Sequence, residues 1–280
     1  MRTYLAFIKT GILMAALTAL FIGVGTLIAG RSGATIFFII SLVMNLGAYW
    51  FSDKIALSMA HAQPIDESQA PQTYADIREL TQKMSLPMPQ IYVSPEAQPN
   101  AFATGRNPGH AAVCVTQGLL QALDRQEVRA VLAHELGHVK NHDILITTIA
   151  AVVAGAISSL ANLAFFIPSS NDNDRNPVGS LIAIIVAPIA ATLIQLAISR
   201  SREYAADATG AQYSGSPRDL AEALVKIEDI SAQVPMNVSP SMATLYIGNP
   251  LHVEGIAALF STHPKTADRV AKLLEMEAGR

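Results

Sequence analysis

Two histidines four residues apart, with a glutamate directly after the first, make His134-Glu135-Leu136-Gly137-His138 the segment of this chain best suited to chemistry. Helical positions four apart share one face, about one turn apart, so both imidazoles can reach a single ion. Zinc takes neutral imidazole nitrogens at about 2.0–2.1 Å. Glu135, one step round the helix, is placed to remove a proton from a water on that ion. The preceding run, Val128-Arg-Ala-Val-Leu-Ala-His134, favours helix. The chemistry would be metal-assisted hydrolysis of a peptide bond. The metal polarises the carbonyl, and Glu135 acts as general base and then protonates the leaving amine.

A third ligand is needed. His142 follows His134 by eight residues, which is about 12 Å along a continuing helix and too far to share the ion. A longer zinc signature, with glycine three residues after His138 and histidine three further on, is excluded because Asn141 and Ile144 stand there. Glu203 is the better choice. Asp207, four residues later on the same helix face, can accept a hydrogen bond from the free ring nitrogen of a zinc histidine and fix its orientation. The expected cofactor is one zinc ion per chain.

These groups must be brought together by the segments around them, and those are strongly apolar. A bilayer span takes about 20 apolar residues, and four stretches qualify: 11–30, 34–51, 144–167 and 178–199. The second ends in Tyr49, Trp50 and Phe51, an interfacial aromatic anchor. Arg31, Ser32 and Gly33 form a tight turn that makes the first two spans a helical hairpin. The first span is long for a cleaved leader and has no small-residue cleavage site, so it reads as an uncleaved anchor. Arg2, Lys9, Lys54, Lys140, Arg200 and Arg202 flank the spans on one side, against Arg31 and Arg175 on the other. Positive residues favour the cytoplasm, so both termini and the polar parts are expected there. The third span starts just after His138 and the fourth ends just before Glu203. Two antiparallel helices would therefore carry the histidine motif and Glu203 to the same membrane face.

Composition agrees. Of 280 residues, 51% are hydrophobic and only 15% charged, against about 25% charged in an ordinary soluble domain. A formal charge of −3 gives no basic footprint for nucleic acid. The lone Cys114 rules out an intrachain disulfide and, in Ala-Ala-Val-Cys-Val, reads as strand core. The fold expected is a membrane α-helical protein with four transmembrane helices and a cytoplasmic α+β, zincin-like domain. Its parts are a first hairpin (1–52), the first part of the domain (53–143), a second hairpin (144–199) and the second part of the domain (200–280). Within the domain, 71–84 is helical, 91–93, 101–103 and 111–115 are strand-like, and Asp124 with Glu127 opens the motif helix as a capping box. Residues 231–250, rich in Pro, Ser, Met and Asn, read as a mobile loop.

His134-Glu-Leu-Gly-His-Val-Lys-Asn-His-Asp143, Ser201-Arg-Glu-Tyr-Ala-Ala-Asp207, Pro99-Asn-Ala-Phe-Ala-Thr-Gly105 and Ser261-Thr-His-Pro264 together resemble the HtpX family of bacterial membrane metalloproteases, relatives of the eukaryotic CAAX prenyl endopeptidases. With the spans in register, the resemblance covers essentially the whole chain. It implies zinc-dependent proteolysis at the inner membrane, facing the cytoplasm, in the quality control of misfolded or damaged membrane proteins. It also implies metal-ligand roles for His134, His138 and Glu203 and a catalytic role for Glu135. The partners implied are unfolded polypeptides, membrane-protein substrates and the lipid bilayer.

Other segments have two readings each. Asn100, Ala101 and Phe102 form either an edge strand that pairs with an extended substrate or a packed hairpin strand. His263 and Arg269 either stabilise an oxyanion in the cleft or serve structure. Two rivals to the protease stand: a membrane holdase or scaffold with a structural metal, and a metal-dependent hydrolase of a lipid-like molecule. Glu135 speaks against the first, because a structural zinc needs no carboxylate beside its histidine.

Overall fold

A computed structural model describes residues 2–165, 200–236, 238–250 and 264–279. The span expected at 178–199 and His263 lie outside the described residues. Helix α1 (Arg2–Met59) is broken at Ala29 and Gly30, where Gly30 takes φ 58 and ψ −137, a region open essentially to glycine alone. The break turns the chain back on itself, so the expected hairpin is present with its turn at Ala29–Gly30 rather than at Arg31–Gly33. Its arms touch backbone to backbone: a Cβ placed on Gly33 would come within 2.0 Å of the Gly25 carbonyl oxygen. Asn45 crosses between the arms, donating to the Met14 carbonyl at 3.2 Å and to Thr18 Oγ1 at 2.9 Å.

One helical arm among the described residues, Ala29–Met59, is long and apolar enough to cross a membrane, and its most apolar window is only 11% buried. Ile36, Ile39, Val43, Leu46, Trp50 and Phe51 are all exposed along it. Thr10–Thr26 and Ile144–Gly155 are shorter apolar helices.

The polar unit is built on a four-stranded mixed sheet of β1 (Gln63–Pro64), β2 (Gln90–Ser94), β3 (Ala101–Gly105) and β4 (Ala111–Thr116). The order is β1-β2-β4-β3, with β2 parallel to β4 and β3 antiparallel to it. All six residues of β4 are buried because both faces of the sheet are covered. Val113 and Val115 belong to the core beneath the motif helix, while Ala112 and Cys114 meet Ala56, Leu57 and Ala60 at the end of α1. Cys114 is core, as its apolar neighbours predict.

Around the sheet stand α2 (Pro71–Met84), α3 (Gln117–Ala122), α4 (Arg125–Lys140), α5 (Ile144–Phe165), α6 (Arg200–Ser214), α7 (Pro217–Ser231), α8 (Pro240–Ala243) and α9 (Thr266–Ala278). The capping box is formed: Asp124 Oδ1 accepts from the amides of Gln126 and Glu127, and Glu127 Oε2 accepts from the amide of Asp124. Helix α4 is the central element, with most of its residues buried. Small residues let α6 lie directly on it. A Cβ on Gly137 would meet Ala206, and one on Gly210 would meet the His134 backbone.

The 231–250 stretch is not the free loop that its composition suggests. Met242, Ala243, Leu245, Tyr246 and Ile247 are buried, and the ring of Tyr246 meets Phe102 edge-on at 5.1 Å. Hydrophobic residues interleaved among its polar ones pin it to the sheet.

Candidate metal centre

Helix α4 presents His134, Glu135 and His138, and the first two turns of α6 present Glu203 and Asp207. His134 Nε2 lies 3.9 Å from Glu203 Oε2, and His138 Nε2 lies 3.5 Å from Glu203 Oε1. One ligand atom from each of the three residues falls within 4.8 Å of the others. The two imidazoles stand perpendicular, 89° between planes, with centroids 4.8 Å apart.

Behind this cluster runs a chain of charged groups. His134 Nδ1 is 2.9 Å from Asp207 Oδ1. The guanidinium of Arg269 grips Asp207 with two bonds, Nε to Oδ2 at 2.9 Å and Nη2 to Oδ1 at 2.7 Å. Its remaining arm donates to the Ile247 carbonyl at 2.9 Å. Arg269 is therefore placed behind Asp207 and not in the cleft, and an oxyanion role for it has no support in this geometry.

Burial and charge set the protonation of these side chains. Complete burial pushes His134 down to about 4, with Asp207 opposing. Burial also disfavours charge on His138, but Glu203 and Asp143 outweigh it and lift that ring to about 9. Glu135, 1% exposed, is pushed up to about 7, first by burial. Burial would raise Asp207 as well, yet Arg269 and His134 hold it at about 2.

The cluster fits a metal. His134 Nε2 is fully buried and makes no hydrogen bond among the described residues, a deficit worth about 1–3 kcal/mol unless another partner takes the lone pair. Two imidazoles and one carboxylate form the donor set of a zinc site that keeps a fourth position open. Beside them is a cavity of about 20 Å³ lined by Ala103, Glu135, His138, Glu203, Thr147 and the 244–247 stretch, room for about one water molecule.

Strand β3 is at the edge of the sheet next to this cavity. Thr116 N donates to Asn100 O, so by antiparallel alternation Ala101 and Ala103 turn their backbone groups away from β4. Ile247 N already uses the Ala101 carbonyl at 2.9 Å, and the Asn100 side chain clasps both peptide groups of Gly248. Phe102 is fully buried on the opposite face. Strand β3 is thus the edge of the sheet and is also packed: all five of its residues are buried and Phe102 anchors the core. Of the outward backbone groups, the Ala101 carbonyl accepts from Ile247 and the Ala103 amide donates to Glu135.

Two neighbours of the centre were not foreseen. Asp143 lies 3.6 Å from His138 Nδ1, and Arg202 lies 3.7 Å from Asp143. The sequence signal was the helix end. Helix α4 stops at Lys140, His142 takes φ 60, and Asp143 N returns to the His138 carbonyl. His142 itself sits in that turn, as a helix-end residue.

Residues 67–277 match peptidase family M48. Over 274 residues, 96% of both chains, the sequence is 53% identical to a "Protease HtpX homolog" of Paraburkholderia phytofirmans. It is 52% identical, with the same coverage, to the protein of that name from Burkholderia thailandensis. Among solved structures, the crystal structure of S. mikatae Ste24p shares the fold, with a TM-score of 0.50 at 22% identity. That likeness covers 95% of this chain and 65% of Ste24p.

Proposed function

The chain belongs to peptidase family M48 and is a metalloprotease that hydrolyses peptide bonds; on that premise we propose that it is an integral-membrane zinc endopeptidase. His134, His138 and Glu203 hold one zinc ion, Glu135 is the catalytic base, and Asp207 orients His134. The observation that carries this reading is the convergence of those three ligand atoms beside a buried glutamate and a cavity the size of one water. When bound, zinc would supply Lewis acidity toward the peptide carbonyl and the attacking water.

The protein's own groups do the rest. Glu135, raised toward neutrality, accepts the proton of the attacking water and delivers it to the leaving amine. The outward backbone groups of Ala101 and Ala103 hold an extended segment of substrate by strand pairing, which reads little of its side chains. Ile247 must release the Ala101 carbonyl for that pairing to extend along β3. Asn100 shapes this edge through its hold on Gly248.

Four spans place both termini and the protease unit on the cytoplasmic face of a bacterial inner membrane. The exposed apolar length of Ala29–Met59 and the distribution of Lys and Arg support this. An active site carried directly next to the proposed spans, with backbone-directed substrate binding, suits misfolded or damaged membrane proteins.

The test is degradation of casein by detergent-purified protein, stripped with chelator and then resupplied with zinc. Cleavage that returns only with metal supports the proposal. Cleavage that survives complete metal removal overturns it.

A further inference from the structure

The two histidines of the centre are supported unequally. Asp207 Oδ1, which Arg269 locks in place, lies 2.9 Å from His134 Nδ1, close but without the geometry of a formed hydrogen bond. His138 has the same kind of chain beside it in a looser form. Asp143 Oδ2 is 3.6 Å from His138 Nδ1, and Arg202 Nε is 3.7 Å from Asp143 Oδ1. His138 Nδ1, Asp143 Oδ2 and Arg202 Nη2 are all buried, and none makes a hydrogen bond among the described residues. Three neighbouring groups of complementary chemistry, each with a buried atom lacking a hydrogen bond, stand at 3.6 and 3.7 Å from one another, just outside bonding distance.

The backbone holds Asp143 there. The left-handed turn at His142 and the bond from Asp143 N to the His138 carbonyl fold the chain back beside the ring. Arg202 immediately precedes Glu203 on α6. Asp143 therefore bridges the end of α4, which carries His138, to the turn of α6 that carries Glu203.

We propose that Asp143, held by Arg202, is the positioning residue of His138, accepting the Nδ1 proton so that Nε2 faces the metal alongside Glu203. The assignment rests on His138 being a ligand. It makes two parallel Arg–Asp–His chains, Arg269–Asp207–His134 and Arg202–Asp143–His138, one behind each imidazole. Partners of this kind behind a metal histidine typically contribute about 10–100-fold in metal affinity.

The competing role for Asp143 is purely structural, since it directly precedes α5 and its carbonyl accepts from Thr147 N. Serine separates the two. It caps a helix as well as aspartate does but is too short to reach the ring. Full-length protein in detergent, wild type and Asp143→Ala, Asp143→Ser, Arg202→Ala and His138→Ala, would be stripped of metal and titrated with zinc against a chromophoric chelator. Cobalt-loaded samples would be compared by absorption spectrum. Expected are a loss of zinc affinity of about 10–100-fold in both Asp143 variants, a smaller loss in Arg202→Ala, and a changed cobalt spectrum. Wild-type affinity and spectrum in Asp143→Ala would overturn the proposal, as would restoration by Asp143→Ser. If His138→Ala itself binds zinc like wild type, the ligand assignment fails and this proposal with it.

Discussion

Gly210 of α6 lies against the backbone of His134: a methyl group added at Gly210 would come within 2.9 Å of the His134 amide nitrogen and 3.0 Å of its Cα. The helix that carries Glu203 can approach the helix that carries the histidines only because nothing projects there. Gly210→Ala should force α6 away from α4, at about 1–3 kcal/mol for overpacking a tight contact. Because Glu203 moves with α6, zinc retention should fall together with the melting temperature. A zinc titration and a thermal melt on the same sample check this, and unchanged zinc affinity would refute the coupling.

Glu135→Gln removes the proton acceptor while keeping the size of the side chain. Cleavage of casein should fall by about 10²–10⁴-fold, with zinc content by metal analysis equal to wild type. Turnover near the wild-type rate would remove Glu135 from its assigned role.

Arg269→Ala would strand Asp207 as a buried charge without its partner, which costs about 3–5 kcal/mol in comparable cases. Arg269→Lys should recover only part of the loss, because a point charge cannot reproduce two parallel bonds. Asp207 is held at about 2 against an ordinary 3.8. A depressed pKa contributes stability that is present above pH 3.8 and disappears as pH falls toward 2. Denaturant midpoints of metal-stripped protein should show that loss in wild type and a weaker one in Arg269→Ala.

Zinc uptake should expel a proton near neutral pH. With its pKa lifted to about 9, His138 carries a proton at pH 7 that a coordinating nitrogen must give up, so about one proton should leave per zinc bound. Calorimetric titrations in two buffers of different ionisation enthalpy measure this number directly. Zinc affinity should fall as the solution is acidified.

Ala103→Pro tests the edge strand. Ala103 points its amide away from β4, so proline there breaks no bond of the β3–β4 ladder. The Ala103 amide also donates to the Glu135 carboxylate, so the variant should fold and retain zinc but lose cleavage, through the lost edge donor and through a less restrained Glu135 together. Full activity would show that β3 is not the strand on which substrate pairs.

Much of the centre was legible in order along the chain. The helical spacing of His134 and His138, the capping box at Asp124 and Glu127, and the four-residue step from Glu203 to Asp207 are local patterns, and local hydrogen bonding and periodicity decide them. Helix α2 and the strands, which formed one or two residues longer than predicted, follow for the same reason. The apolar helices around 11–30 and 34–51 were readable from apolar length, although only Ala29–Met59 among the described residues is long enough to cross a membrane and the turn moved to the glycine that alone tolerates the backbone angles found at position 30.

What the sequence by itself determined, then, were the elements and the chemistry each could carry: a metal-binding helix, a distant carboxylate, and apolar lengths suited to a bilayer. Only the tertiary structure decided which groups meet. Arg269 was drawn behind Asp207 rather than into the cleft, Asp143 was turned back beside His138, and the 244–247 stretch was laid over the edge of β3. Each depends on contacts between residues far apart in the chain or on a single left-handed residue at a helix end. Short-range periodicity carries no information about such contacts, because they are set by which surfaces pack and by the demand that buried charges find partners.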